Sequence, residues 1–116
     1  MDIQAIQEKL QTFADERQWE QYHTPKNLVM GLCGEVGELI EHFQWLTADE
    51  SKNITHDENT MEKVREELAD VQIYLLRLAD KLNIDMESAI WDKIKKNEAK
   101  YPAHFVKGSA KKYTEY

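Results

Sequence analysis

Apolar residues recur at three- and four-residue spacing through most of this 116-residue chain, which is the pattern of α-helices that bury one face. No β-hairpin signal, internal repeat or low-complexity tract interrupts this pattern. We therefore expect an all-α fold, a four-helix bundle-type chain in a single domain over residues 1–116. The predicted helices span residues 2–20, 25–46, 60–82 and 86–100.

Local signals mark where these helices start and stop. Thr24 followed by Pro25 is the clearest start, because threonine can cap a helix and proline suits its first turn. Asp85 is placed to cap the last helix in the same way. The polar, acidic residues 47–59 are predicted to form an exposed loop, and residues 102–116, which begin with a proline, an irregular tail.

Charge and composition exclude several classes of protein. The formal net charge of −7 argues against a general DNA- or RNA-binding protein, which needs a basic surface. The chain shows no basic-then-apolar leader and no long uncharged apolar run, so we expect a cytoplasmic protein without a membrane partner. The one cysteine, Cys33, excludes an intramolecular disulfide and is expected to be a small core residue.

The stretch LVMGLCGEVGELIEHFQW, residues 28–45, places acidic side chains beside an apolar helix face. Successive residues turn by about 100°, so Glu35 and Glu38 border the apolar arc of the second helix. Glu67 and Asp70 border the apolar arc of the third helix in the same way. If the two helices pack through these arcs, the two carboxylate pairs converge.

Four converging carboxylates would repel one another and resist ionising together without a counterion. Mg²⁺ is the natural neutraliser, with Mn²⁺ a substitute, because hard divalent cations prefer oxygen ligands. Gly31 and Gly34 lie on the acidic side of the second helix and would leave room for a bulky ligand. Glutamates that edge an amphipathic helix are more often a solvated face, so spacing alone leaves both interpretations open. A di-iron site would need two Glu-x-x-His motifs, and only Glu20 and His23 have that spacing.

Longer blocks of the sequence resemble a known family. GEVGELIEHFQW followed by EELADVQIYL is similar to the E-x-x-E and E-x-x-D signature of the all-α nucleoside triphosphate pyrophosphohydrolases, the MazG-like superfamily. Within it, the dCTP pyrophosphatase group is the most similar. The likeness extends to FADERQWEQYHTPKNL before the signature and to YPAH and KYTE after it.

This resemblance implies Mg²⁺-dependent hydrolysis of a deoxynucleoside triphosphate, dCTP or a related or modified nucleotide, to its monophosphate and pyrophosphate. Water would attack the α-phosphorus, and the role would be the house-cleaning of nucleotide pools. By position, Glu35, Glu38, Glu67 and Asp70 would be the metal ligands. Glu38 is our choice for orienting or deprotonating the water, although Glu35 could do the same.

The resemblance also assigns residues around the substrate. Lys93 and Asn97 match positions that contact phosphates or complete the metal site. Trp19 and Trp45 match aromatic residues of the base pocket, and Tyr74 matches a residue that crowds the sugar and so excludes a 2′-hydroxyl. Without the resemblance, the first pair would be read as an exposed helix face and the tryptophans as core packing.

The resemblance further implies assembly as a homodimer or homotetramer with sites partly built across subunits. Two positions depart from the family pattern: Leu10 stands where vertebrate members carry a histidine, and Lys81 replaces an arginine. Both departures concern base preference rather than the metal chemistry. The alternatives are a non-catalytic helical interaction module with a cation-binding acidic edge, and a phosphatase that releases single phosphates.

Overall fold

The computed structural model describes residues 1–108, and this range is all-helical with no strand. The all-α prediction is therefore confirmed for that range. Two single-turn 3₁₀-helices, Glu20–Tyr22 and Ile54–His56, lie between the α-helices. The six α-helices are α1 (Ile3–Glu16), α2 (Pro25–Glu41), α3 (Ala48–Lys52), α4 (Glu58–Lys81), α5 (Met86–Lys100) and α6 (Ala103–Val106).

The predicted capping signals are present where the long helices begin. Thr24 Oγ1 accepts a hydrogen bond from the backbone N–H of Asn27, and Pro25 occupies the first turn of α2. Asp85 accepts one from the backbone N–H of Ser88 at 3.0 Å and so caps α5. These side chains satisfy N–H groups that have no partner within the helix.

Two segments predicted to be irregular contain short helices. Within residues 47–59, α3 begins with a capping box in which Thr47 and Glu50 bond each other's backbone N–H groups. In the tail, α6 forms directly after Pro102, so the prediction of an irregular tail is wrong for residues 103–106. The rest of that tail prediction, including the KYTE block, falls on residues 109–116, outside the described range.

Two of the predicted helices end earlier than expected. The first ends at Glu16 instead of residue 20, because the backbone turns through Gln18, whose φ is +55°. The second ends at Glu41 instead of residue 46. Both helices are therefore shorter than predicted, but Glu35 and Glu38 still lie within α2.

The chain divides into two compact units, Met1–Asn83 and the residues from Ile84 onward. In the first unit α4 packs against both α2 and α1. Its small apolar core is centred on Leu28 of α2 and Leu76 of α4, which are 2 % and 1 % exposed. In the second unit, α5 is followed by α6. No helix within residues 1–108 is both long and apolar enough to cross a bilayer.

Within residues 1–108, much of the apolar surface of α2 is exposed. Cys33, predicted to be a core residue, is exposed, because no described residue covers its part of the helix face. A contiguous exposed apolar face of this kind is typical of interaction surfaces. The other large apolar side chains exposed on α2 are Val29, Met30, Val36 and Ile40.

The three glycines of α2 differ in their surroundings. A Cβ added to Gly31 would overlap the ring of Tyr74, with Cζ only 2.8 Å away, so the tyrosine of α4 occupies this space. The expectation that Gly31 leaves room for a ligand is therefore wrong. A Cβ on Gly34 or Gly37 would meet no atom within 4 Å among the described residues, which agrees with free space beside Gly34.

We expect Gly31→Ala to destabilise the protein by about 1–3 kcal/mol, because the new methyl group must displace the Tyr74 ring. Gly37→Ala is the matched control, and it should be neutral or stabilising by up to about 1 kcal/mol through its better helix propensity. Urea unfolding of both variants measures the difference. Equal stabilities of the two variants would contradict the close contact between Gly31 and Tyr74.

Candidate metal centre and adjoining cavity

Four carboxylates from two packed helices converge at one point of the first unit. Glu35 and Glu38 come from α2, and Glu67 and Asp70 come from α4. One oxygen of each lies within 4.8 Å of one oxygen of every other. Glu38 is exposed, and the other three are partly buried. The i, i+3 spacing on both helices produces this cluster, because it places each pair on the edge that faces the other helix.

Two buried oxygens of the cluster lack a hydrogen-bond partner. Oε2 of Glu35 and Oε2 of Glu67 are both inaccessible, and no described residue donates to either. A buried carboxylate oxygen without a donor is destabilising unless a proton or a cation satisfies it. The donor set, made only of carboxylate oxygens, is the one that hard divalent cations prefer. The residues therefore fit a bound divalent cation.

The acidity of the cluster reflects this crowding. Burial, a shared hydrogen bond with Glu38 and the charges of Glu38, Asp70 and Glu67 together raise the pKa of Glu35 to about 7. Burial raises the pKa of Glu67 as well, again helped by Glu38 and Asp70. His42 opposes this rise, since its Nε2 lies 3.8 Å from Oε1 of Glu67. Without a cation, Glu35 is therefore partly protonated near neutral pH.

A cavity of about 290 Å³ adjoins the cluster. Asp70 belongs to both the cluster and the cavity wall. The rest of the wall is mostly apolar and includes three large aromatic side chains. Phe13 and Trp19 are in edge-to-face contact at 5.7 Å between ring centroids, and Tyr74 comes from α4. A carboxylate cluster that opens beside an aromatic cavity suits a ligand with an anionic part and a flat ring.

Comparison with known proteins identifies the family. A profile of the MazG-like family matches residues 32–116, a range that includes all four clustered carboxylates. The chain belongs to the MazG-like family.

Curated MazG-like relatives cover most of this chain. It is 46 % identical to dCTP pyrophosphatase 1 from Homo sapiens over 103 residues, which are 89 % of this chain and 61 % of that protein. The Mus musculus protein of the same name is 45 % identical over the same shares. The chain thus spans about three fifths of the length of these relatives.

A solved structure supports the same fold. A pyrophosphatase from Archaeoglobus fulgidus DSM 4304 superimposes with a TM-score of 0.80 at 42 % identity, over 88 % of this chain and 94 % of that chain. The MazG-like resemblance of the sequence is therefore confirmed. MazG-like pyrophosphatases are generally metal-dependent, and this chain has an acidic group that can bind a metal.

Two of the predicted substrate residues of this MazG-like chain lie at the cavity of the first unit. Trp19 and Tyr74 line the cavity beside Asp70. Trp45 lies outside the cavity and is 86 % exposed. Lys93 and Asn97 are exposed on α5, one helical turn apart in the second unit. The roles of these residues remain predictions.

Sequence reasoning did not single out Arg77, which also lines the cavity and is only 3 % exposed. It contacts Glu20 and His23, so the one Glu-x-x-His spacing of the chain is engaged with an arginine rather than with the carboxylate cluster. The only local signal was a charged residue inside the apolar stretch LLRLA.

The raised pKa of Glu35 predicts a pH-dependent stability in metal-free protein. A protonated Glu35 favours the folded state, so its contribution is complete below pH 4.5 and is lost as the pH rises through about 7. The glutamine of Glu35→Gln cannot ionise. In the presence of EDTA, the melting temperature of the wild type should therefore fall relative to that of the variant between pH 5 and pH 8. Adding Mg²⁺ at pH 8 should stabilise the wild type more than the variant. A difference in melting temperature between the two proteins that stays constant from pH 5 to pH 8 would contradict the crowding of the cluster.

Proposed function

We propose that this chain is a Mg²⁺-dependent nucleoside triphosphate pyrophosphohydrolase that converts a deoxynucleoside triphosphate to its monophosphate and pyrophosphate. The proposed substrate is dCTP or a related or modified nucleotide, because dCTP is named in the curated relatives. The observation that carries the proposal is the cluster of four carboxylates, with oxygens within 4.8 Å of one another, next to an aromatic cavity.

Glu35, Glu38, Glu67 and Asp70 would hold the divalent cation. Two of them carry buried oxygens that no described residue satisfies, and all four offer hard ligands, which favours Mg²⁺ and allows Mn²⁺. When bound, the cation would neutralise charge on the phosphates and make water a better nucleophile near neutral pH.

Glu38 would orient or deprotonate the attacking water. It is the exposed member of the cluster, so water reaches it more easily than its three partly buried neighbours. The water oxygen forms a bond to the α-phosphorus, the bond from that phosphorus to the bridging oxygen breaks, and pyrophosphate leaves. Glu35 remains the alternative for this role.

The cavity would receive the base and the sugar. Trp19 would stack on the base, and Tyr74 would crowd the 2′ position of the sugar and so disfavour ribonucleotides. Lys93 and Asn97 would contact the phosphates. Trp45 would complete the base pocket, and its 86 % exposure suits a contact made only in the assembled protein.

Self-association as a homodimer or homotetramer is part of the proposal. The exposed apolar residues of α2, Val29, Met30, Val36 and Ile40, form a face that a second copy would cover. We further propose that the protein acts in the cytoplasm and removes unwanted nucleotides from the pool.

A product-resolved screen of canonical and modified nucleoside triphosphates with Mg²⁺ tests this function. We expect dCTP to yield dCMP and pyrophosphate, with ¹⁸O from labelled water in dCMP. An interaction module would release neither phosphate nor pyrophosphate from any nucleotide. A phosphatase would instead release orthophosphate and leave dCDP, and either result would contradict the proposal.

A further inference from the structure

Three hydrogen bonds and one longer ion pair hold Arg77 inside the cavity wall. Its Nη1 donates to Oε1 of Gln11 at 2.7 Å and lies 4.0 Å from Oδ2 of Asp80. Its Nη2 lies 3.4 Å from Oε2 of Glu20 and 3.1 Å from Nδ1 of His23. These contacts fix the plane of the guanidinium, and the Arg77 side chain is 3 % exposed.

The Nε donor of this guanidinium is buried and unused among the described residues. Arginine has five N–H groups, and the Nε of Arg77 is buried with no hydrogen-bond partner among the described residues. A buried charged donor without an acceptor is destabilising, so an acceptor is expected to reach it in the functional complex. Arg77 lines the cavity, and the ligand of that cavity is the natural source.

His23 supplies a second donor beside it. Arginine can only donate, so the Nδ1 of His23 accepts from Nη2 of Arg77. A neutral ring that accepts at Nδ1 carries its proton on Nε2 and can only donate there. Burial and the charge of Arg77 lower the pKa of His23, which keeps the ring neutral. His23 lines the same cavity.

The position of Arg77 on α4 matches the order of groups in a nucleotide. Asp70, Tyr74 and Arg77 are spaced i, i+4 and i+7 and all line the cavity. Arg77 is therefore about 10 Å along the helix axis from the carboxylate cluster. If phosphates bind at Asp70 and the sugar at Tyr74, the base lies at Arg77.

We infer that Arg77, together with His23, reads the base and selects cytosine over uracil and thymine. The inference rests on the proposed function. Cytosine presents two adjacent acceptors, O2 and N3, whereas uracil and thymine carry an N–H at position 3 that would face a donor. Guanine also has adjacent acceptors, N7 and O6, but a cavity of about 290 Å³ favours a single-ring base.

Binding of monophosphates tests the inference without hydrolysis. We expect the full-length protein to bind dCMP about 10- to 100-fold more tightly than dUMP, measured by calorimetry. It should discriminate similarly against 3-deaza-dCMP, in which a C–H replaces N3. Arg77→Met should bind all three with similar affinity. Wild-type protein that binds dCMP and 3-deaza-dCMP equally would overturn the inference.

Arg65→Met is the matched control for the loss of an arginine from α4. Arg65 pairs with Glu62 at the surface and does not line the cavity. Its removal should leave the preference for dCMP unchanged. If Arg65→Met loses the preference as fully as Arg77→Met, the loss reflects the removed charge rather than a contact with the base, and the inference is wrong. If Arg77→Met does not fold, Arg77→Lys gives the same test, because lysine retains the positive charge and lacks the Nε–H donor of the guanidinium.

Kinetics separate this inference from the proposed function. If dCTP is hydrolysed and Arg77→Met keeps the wild-type ratio of kcat/KM for dCTP over dUTP, the inference fails and the function stands. If no triphosphate is hydrolysed but the preference for dCMP depends on Arg77, the function fails and base reading stands. A fall in that ratio of about 10- to 100-fold in Arg77→Met supports both.

Discussion

Glu38→Gln is expected to lower kcat for pyrophosphate release from dCTP by about 10²- to 10⁴-fold. Glutamine keeps the size of the side chain but cannot accept the proton of the attacking water, and it is a weaker ligand for a hard cation. Glu38 also raises the pKa of both Glu35 and Glu67, and one of its oxygens lies within 4.8 Å of one oxygen of each. The measurement is steady-state release of pyrophosphate with saturating Mg²⁺.

Glu41→Gln is the control for this substitution. Glu41 is an exposed glutamate one turn further along α2 and lies outside the carboxylate cluster. Both variants remove one negative charge from the same helix, so a general charge effect would change both rates equally. Similar activities in Glu38→Gln and Glu41→Gln would rule out a catalytic role for Glu38.

Trp19→Ala is expected to raise KM for dCTP by about 10- to 100-fold and to change kcat much less. The reason is the loss of a stacking surface worth on the order of 1–3 kcal/mol, since Trp19 lines the cavity beside the carboxylate cluster. Trp19→Phe should recover most of the affinity, because a smaller ring still stacks. Steady-state kinetics over a range of dCTP concentrations separates the two parameters.

Trp91→Ala controls for the loss of an indole. Trp91 is a half-exposed tryptophan of α5, in the second unit, and no role in substrate binding is proposed for it. Its removal should leave KM within about twofold of the wild type. Unchanged KM in Trp19→Ala, with the fold intact by circular dichroism, would contradict base stacking at the cavity.

The long helices were predictable because their signals are local. Each amphipathic stripe and each cap, such as Thr24 before Pro25, is contained within one segment of sequence. The convergence of the carboxylates was predictable for a related reason: each pair lies at the border of an apolar face, and α2 and α4 pack against each other. The helix α3 was missed although its capping-box residues, Thr47 and Glu50, stand in the sequence.

Contacts between distant segments were not predictable. Gly31 gives no sign in the sequence that a tyrosine 43 positions later fills its space. The guanidinium of Arg77 is bound by side chains more than 50 positions away, and no spacing rule links them. Cys33 was assigned to the core because its helix face is apolar, but the described part of the chain leaves that face largely uncovered.

The most direct test of the metal centre is anomalous diffraction from crystals of the full-length protein grown with Mn²⁺. We expect a strong anomalous peak among Glu35, Glu38, Glu67 and Asp70, because Mn²⁺ accepts the same oxygen ligands as Mg²⁺. A Mn²⁺ concentration that supports hydrolysis in solution should be used. A peak elsewhere, with none among the four carboxylates, would contradict their assignment as the metal site.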